Sequence, residues 1–120
     1  MGSEMCIRDR QYLLLIYEDE KRLETNFPME ELGEYQAFGK KHAGAIQGGK
    51  ALQPTRAAKT VRVRDGAAMT TDGPFAETKE QLGGFYLIEA GSPAEAAAIA
   101  AEIPGARFGC VEVRPIMSFS

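Results

Sequence analysis

The 120-residue chain has one histidine and two cysteines, Cys6 and Cys110. The cysteines lack C-x-x-C spacing, and together with the single histidine they do not supply the four ligands of a structural zinc site. A zinc site built from Cys and His is therefore excluded. We expect no metal and no other cofactor. Cys110 lies in an apolar strand pattern that predicts a buried thiol, and a disulfide to Cys6 is the alternative.

The chain also lacks an excess of basic residues and any long apolar run. Fourteen Lys and Arg stand against 17 Asp and Glu, for a formal net charge of −3. This balance gives little attraction for nucleic acid or for an anionic membrane surface. No window approaches the ~18 consecutive apolar residues of a membrane span, and no signal-peptide pattern is present. We therefore expect a cytoplasmic protein that binds neither nucleic acid nor membrane.

The length is that of one domain with its own hydrophobic core. Residues 1–10 read as a non-native or disordered segment, because Met1-Gly2-Ser3 is similar to a cloning-derived start and the following residues to translated adapter sequence. A genuine short arm is the alternative. The predicted domain spans residues 11–120.

The first half of the domain predicts one strand and one helix. Residues 11–17 form a short apolar run, which is typical of a strand buried on both faces. The charged stretch 18–22 is too polar to belong to a core. Residues 28–46 predict a helix, with acidic residues in its first turn and lysines near its end. Its apolar residues recur at helical spacing and predict the face that packs on the core: Pro28, Leu32, Tyr35, Gly39, Ala43 and Ile46.

The second half predicts a hairpin, two more strands and a second helix. Residues 59–64 alternate between polar and apolar, which indicates a half-buried strand, and Asp65-Gly66 is a strong hairpin turn. Strands are also predicted over 84–90 and 108–116. Between them, Ser92-Pro93-Ala94-Glu95 has the pattern of a capped helix start.

This order of elements favours a ferredoxin-like α+β fold, in which an antiparallel sheet carries two helices on one face. The other face of such a sheet has to be covered as well. A second copy of the chain would cover it, so we predict a homodimer with its sheets face to face.

The central segment resembles a known family. It reads Thr71-Asp72-Gly73-Pro74-Phe75-Ala76-Glu77-Thr78-Lys79-Glu80, and together with residues 60–66, 81–88 and 111–115 it is similar to the DGPF group of YCII-related proteins. The resemblance implies a dimeric α/β barrel of ferredoxin-like chains. Some members are encoded beside extracytoplasmic-function sigma factors. Certain relatives resemble dehydrochlorinases, with a His–Asp pair as the suggested active centre.

Asp72 is the residue that matches the family motif. The proline at 74 holds the following backbone stiff, which would aim the Asp72 carboxylate. His42 is the sole histidine and hence the candidate partner, and whether the two side chains pair is left open. The alternative is a purely structural role for each residue. Asp72 would then hydrogen-bond within its own turn, and His42 would be a cation near the end of the first helix, where the helix dipole favours positive charge.

Four further residues are candidate substrate contacts. Glu77, Lys79 and Glu80 share the loop of Asp72, where like charges could raise a carboxyl pKa and suit it to acid–base work. Tyr17 leaves the sheet together with Glu18, and both could line a cleft. The alternatives are a solvated ion cluster and a solvated loop. Thr78 also begins a capping pattern that predicts a single helical turn.

Two functions fit these residues. The first is a cofactor-free enzyme that uses Asp72 as acid or base on a small molecule near the dimer interface. The second is a non-catalytic module that binds a small-molecule ligand or contacts an extracytoplasmic-function sigma factor.

Overall fold

The computed structural model describes residues 10–23 and 28–118, so most of the predicted N-terminal segment lies outside the described residues. This part of the chain contains six strands and two α-helices. In chain order they are β1 (Gln11–Glu18), α1 (Met29–Lys41), β2 (Ile46–Ala51), β3 (Lys59–Arg64), β4 (Ala67–Asp72), β5 (Gln81–Glu89), α2 (Pro93–Ala100) and β6 (Cys110–Pro115). Short 3-10 turns occupy Glu20–Leu23, Thr55–Ala57 and Pro104–Arg107.

Four of the strands form one antiparallel sheet in the order β2-β5-β1-β6. Without β3 and β4, the elements run β-α-β-β-α-β with β1 and β5 in the centre. The predicted ferredoxin-like α+β arrangement is therefore confirmed. Strands β3 and β4 are an insertion between β2 and β5, and they pair only with each other.

The core lies on one face of this sheet, beneath both helices. Along β1, buried side chains alternate with half-buried ones. The prediction that β1 is buried on both faces is therefore wrong for the single chain, because the helices cover one face only. The buried apolar residues are Tyr12, Leu14, Ile16, Phe38, Ile88, Ala90, Ala96, Ile99, Ala100 and Ile103.

Helix α1 presents a different stripe to the core from the one predicted. Glu31 and Phe38 are its buried residues, whereas Leu32 is 41% exposed. The predicted stripe is correct for Tyr35 and Ile46, which are partly buried against the core. It is wrong for Leu32, and it missed Glu31 because it assumed that no carboxylate would face inward. The helix also ends at Lys41, five residues earlier than predicted, because β2 begins at Ile46.

Helix α2 begins at the predicted cap. The Ser92 hydroxyl accepts a hydrogen bond from the backbone N–H of Glu95 at 3.1 Å. The Glu95 carboxylate accepts in turn from the backbone N–H of Gly91 at 3.0 Å. The helix ends at Ala100, and Ile103 beyond its end is buried.

Strands β3 and β4 form a projecting hairpin, which we call the hairpin arm (residues 59–72). Its turn is the predicted one, since Asp65 and Gly66 have φ values of 52° and 78°, as a two-residue hairpin turn with left-handed residues requires. The prediction of a half-buried strand is wrong. Val61 and Val63 are each 60% exposed, because no other element covers the arm.

The face of the sheet opposite the helices carries an apolar strip without a covering layer. Leu13 pairs across strands with Leu87, and Leu15 with Phe85, so these four side chains share that face. We call it the open face. The described chain is 18 Å thick, which accommodates the sheet and one helix layer only.

Cys110 begins β6 opposite Tyr17, which is on the open face. Its thiol is exposed, so the prediction of a buried cysteine is wrong. The strand pattern around it was read correctly, but the face it occupies has no cover in the single chain.

Over residues 10–23 and 28–118, neither α-helix has the length and apolar composition needed to cross a bilayer.

Candidate functional site

A cleft of about 690 Å³ opens between α1 and the ends of β1, β2 and β5. We call it the apolar cleft, because most of the side chains that line it are aliphatic or aromatic. They come from both helix and sheet, together with the segment after β2: Ile16, Leu32, Tyr35, Leu52, Pro54 and Tyr86. Its lining has four charged residues: Glu18, Glu20, Lys50 and Arg56.

Glycines shape the floor of this cleft. A Cβ on Gly49 would lie 2.7 Å from the backbone oxygen of Phe85, and one on Gly84 would lie 3.0 Å from that of Lys50. Side chains at these positions would force β2 away from β5. The glycines therefore keep the two strands close and leave open space above them.

One arginine holds two buried carboxylates at the inner end of the cleft. Arg22 donates from Nη2 to Glu18 Oε1 at 2.8 Å, and it contacts Glu31 through two hydrogen bonds of 3.0 and 3.1 Å. Glu18 and Glu31 are both buried. We call Glu18, Arg22 and Glu31 the Arg22 cluster. The prediction that the stretch 18–22 stays outside the core is wrong, because ion pairing compensates for the burial of Glu18.

The Arg22 cluster is held in place from the other side as well. The guanidinium carbon of Arg22 lies 3.9 Å from the ring centroid of Phe108, which is a cation–π contact. The hydrogen bonds that Arg22 donates to the Glu31 carboxylate raise the pKa of Arg22, despite its partial burial. Arg22 therefore stays charged and fixes the direction of the Glu18 carboxylate, which lines the apolar cleft.

Tyr35 lies beside Glu18. Burial, and secondly the charge of Glu18, raises the pKa of the Tyr35 hydroxyl well above its usual range, so the phenol stays neutral. A Cβ on Gly105 would lie 2.9 Å from both Glu18 Oε1 and the Tyr35 hydroxyl oxygen. Only glycine at 105 lets a carboxylate and a phenol approach the backbone together at this point.

A second cleft of about 600 Å³ adjoins the first. We call it the polar cleft. Glu20 and Arg56 line both clefts. The Glu20 carboxylate accepts from the backbone N–H of Thr55 at 2.6 Å and from the Thr55 hydroxyl at 2.7 Å, which ties the first 3-10 turn to the second. The other residues of the polar cleft are Asp19, Lys21, Thr55, Gly73, Pro74, Glu77, Thr78, Lys79 and Gln81.

The predicted site residues are dispersed over the molecule. The Asp72 side chain is 84% exposed and its carboxylate accepts from Lys59 Nζ at 2.6 Å. His42 is only 14% exposed, and its Nε2 lies 3.1 Å from Glu102 Oε1 while its ring contacts Phe38. In the described part of the chain, no hydrogen bond, ion pair or ring contact joins His42 to Asp72.

The predicted substrate contacts divide between two places. Glu77 and Lys79 line the polar cleft. Tyr17 and Glu80 lie elsewhere, since the Tyr17 hydroxyl donates to Glu112 on the open face at 3.3 Å and Glu80 accepts weakly from the Cys110 thiol at 3.9 Å. Burial and the charge of Glu112 raise the pKa of Tyr17.

The helical turn predicted at Thr78 is absent, because β5 begins at Gln81. The Thr78 hydroxyl donates to the Glu80 carbonyl at 2.6 Å, and the Gln81 amide donates to the carbonyls of Ala76 and Thr78, each at 3.1 Å. The side chains of the predicted cap therefore stabilise an irregular loop.

The sequence interpretation missed most of the residues that shape the apolar cleft. Glu18 was considered as a cleft residue, but Arg22 was placed outside the core and Glu31 was interpreted only as an acidic residue of the first helical turn. One signal was available, because Glu18 and Arg22 are four residues apart and of opposite charge. Nothing local marks Glu31, which is brought to Arg22 by the packing of α1. Within residues 10–23 and 28–118, no group of His, Cys, Asp or Glu side chains is arranged to hold a metal ion.

Comparisons with known proteins agree with the motif. The YCII-related domain family matches residues 10–120. An uncharacterised protein of Rhizobium meliloti (strain 1021) is 40% identical over 113 residues, which cover 88% of this chain and 90% of that relative. The family match and the relative both extend over nearly the whole chain, including the Asp72 motif and both clefts. The chain therefore belongs to the YCII-related family.

Proposed function

We propose that the protein binds a small organic molecule in the apolar cleft. The observation that carries this proposal is the cleft itself, with a volume of about 690 Å³ and a lining in which few polar groups stand among apolar side chains. Ligand sites in proteins have this size and character. The second function expected from the sequence, ligand binding without catalysis, is thus the one that the geometry supports best.

The polar groups of the cleft suit recognition. Glu18 is oriented by Arg22, and the Tyr35 phenol is kept neutral by burial. The Tyr35 phenol therefore keeps its proton, and the Glu18 carboxylate has a fixed direction, before a ligand arrives. Preorganised polar groups in an apolar surround orient a ligand without a large ordering cost.

Acid–base catalysis at Asp72 is a second proposal. Its support is that Asp72 directly precedes Gly73 and Pro74, which line the polar cleft. Its exposure and its ion pair with Lys59 do not favour it in the single chain, so the proposal needs a second copy to enclose the carboxylate. His42 would then have to act separately, since its contacts are with Glu102 and Phe38.

We also propose that the functional unit is a homodimer in which a second copy covers the open face and completes a dimeric barrel. The support is the uncovered strip of Leu13, Leu15, Phe85 and Leu87. Contact with an extracytoplasmic-function sigma factor stays a prediction of the family resemblance, which co-purification with the factor encoded nearby would test.

The binding proposal is tested with a neutral fluorescent probe, phenylnaphthylamine, whose emission rises in apolar surroundings. We expect saturable binding to the full chain. Leu52→Glu should abolish it, because the new carboxylate would lie in the cleft, and Leu52 is exposed enough for the change to leave the core intact.

Met117→Glu is the matched control, since Met117 is exposed and does not line the apolar cleft. Equal loss of probe binding in both variants would contradict the proposal, as would the absence of saturable binding. Ligand carried through purification and identified by mass spectrometry would then serve to test Asp72. If Asp72→Asn converts that molecule as fast as the unchanged chain does, the catalytic proposal fails.

A further inference from the structure

The polar cleft contains three cations without a partner. Lys21, Arg56 and Lys79 line it, and none of the three side chains makes a hydrogen bond or ion pair with another described residue. Arg22, Arg107 and Arg114, by contrast, form ion pairs with carboxylates. The cations of this cleft are therefore available to something outside the chain.

Among the described residues, no carboxylate of the same cleft forms an ion pair with these three cations. Asp19 accepts from the backbone N–H of Lys21 at 3.0 Å. Glu20 is taken up by Thr55 through two short hydrogen bonds. Glu77 is the remaining carboxylate of the lining. The three carboxylates balance the three cations in formal charge. Two of the carboxylates already accept hydrogen bonds from the chain itself, so the cations supply most of the unoccupied hydrogen-bonding groups that can reach a ligand.

Arg56 connects this charge to the apolar cleft. It lines both clefts, and so does Glu20, whose bond to Thr55 forms the ridge between them. A molecule with its apolar part against Leu32 and Tyr86 could therefore extend past the ridge and reach Arg56.

We propose that the two clefts form one site for an amphipathic organic anion. The apolar body lies in the apolar cleft, and a carboxylate, sulfonate or phosphate group is held by Arg56, Lys79 and Lys21 in the polar cleft. Arg56 contributes most, because its planar guanidinium can donate two parallel hydrogen bonds to an anion. This assignment rests on the proposed binding function and names the ligand class.

The charge assignment is tested with two probes that share one aromatic body. Anilinonaphthalene sulfonate carries a sulfonate group, whereas phenylnaphthylamine lacks it. We expect the full chain to bind the sulfonate more tightly. Arg56→Gln should weaken sulfonate binding about tenfold, which is the typical effect of one charged hydrogen bond, and Lys79→Gln by a smaller factor. Both changes should weaken binding of the neutral probe much less than binding of the sulfonate.

Lys40→Gln is the matched control, because it removes the same charge from an exposed position on α1 that lines neither cleft. Rising salt should weaken sulfonate binding to the full chain, and it should weaken binding to Arg56→Gln less, since that variant keeps Lys21 and Lys79 but lacks one of the three screened charges.

The outcomes separate the two proposals. If neither probe binds, or if Leu52→Glu leaves both affinities unchanged, the apolar cleft is not a ligand site. If Leu52→Glu abolishes binding of both probes but Arg56→Gln and Lys79→Gln act like Lys40→Gln, the cleft binds neutral molecules and the assignment of an anionic ligand is wrong.

Discussion

Arg22 forms ion pairs with two carboxylates that the fold has removed from water. Glu18 comes from the end of β1 and Glu31 from the first turns of α1, so one side chain connects the sheet to the helix. A buried ion pair contributes little net stability when both partners are present, but the loss of one partner leaves a buried charge without compensation. The Arg22 cluster is thus more sensitive to substitution than an ion pair on the surface.

We expect Arg22→Ala to lower the free energy of unfolding by roughly 3 kcal/mol, which is typical for breaking a buried pair. Chemical denaturation at neutral pH measures it. Arg107→Ala is the matched control, because Arg107 also makes two hydrogen bonds to a glutamate and contacts Phe108, but on the surface. A loss no larger than that of the control would contradict the role given to the cluster.

Single residues also show where sequence reasoning stops. Asp72 was identified from a motif. In the structure it forms an ion pair with Lys59, because the antiparallel register of β3 and β4 places the two residues directly opposite each other. The Arg22 cluster could not be predicted in the same way. Glu31 reaches Arg22 only after α1 has packed, and no short-range pattern encodes that contact.

Among the elements, α2 was the most predictable. Its start depends on residues that are neighbours in sequence, Ser92, Pro93 and Glu95, and the structure has the predicted hydrogen bond. The buried face of helix α1 was harder to predict, because it includes the carboxylate of Glu31. A search for apolar residues at helical spacing never selects a charged residue. Local signals therefore located both helices, while the orientation of α1 depended on a distant partner.

The cap of α2 gives a prediction at this scale. Ser92→Ala should cost about 1 kcal/mol of unfolding free energy, because the Glu95 N–H loses its acceptor at the start of a helix of only eight residues. Thermal and chemical denaturation would measure the change. Ser92→Thr should restore most of the stability, since threonine also caps. Equal losses in both variants would mean that packing, and not the cap, is responsible.

The hairpin arm shows the limit of strand periodicity. Alternation correctly predicted β3 and its turn, but it implied a buried face that the single chain does not have. An isolated two-stranded hairpin is marginally stable in water. Contact between the exposed valines and another surface would therefore stabilise the arm. The alternation of polar and apolar residues predicts that the arm has an apolar face, but it does not say what covers that face.

At the scale of the whole molecule, the apolar side chains of the open face are only half-buried, and Val61, Val63 and Met69 of the hairpin arm are exposed. The open face and the hairpin arm both consist of strands. The open face is uncovered because both helices pack against the other side of the sheet. We expect the chain to scatter light with twice the mass of one copy. Leu15→Glu should give single copies, because a carboxylate in the middle of the open face would be buried between two sheets.

Met117→Glu again serves as the control for a new charge outside the face. If the unchanged chain has the mass of one copy at micromolar concentration, the covering of the open face by a second copy is wrong. If Leu15→Glu keeps the doubled mass, the two copies meet through another surface.

The 18 Å thickness of the described chain has a consequence for how much of it stays folded. In the proposed homodimer, the open face is covered by a second copy, so folding is stabilised by mass action. Each tenfold rise in protein concentration then adds about 1.4 kcal/mol to the stability of the dimer. Dilution has the opposite effect. The folded fraction would then respond to the rate of synthesis more steeply than in proportion, and a weakly expressed gene would lose protein to proteolysis that a strongly expressed one retains.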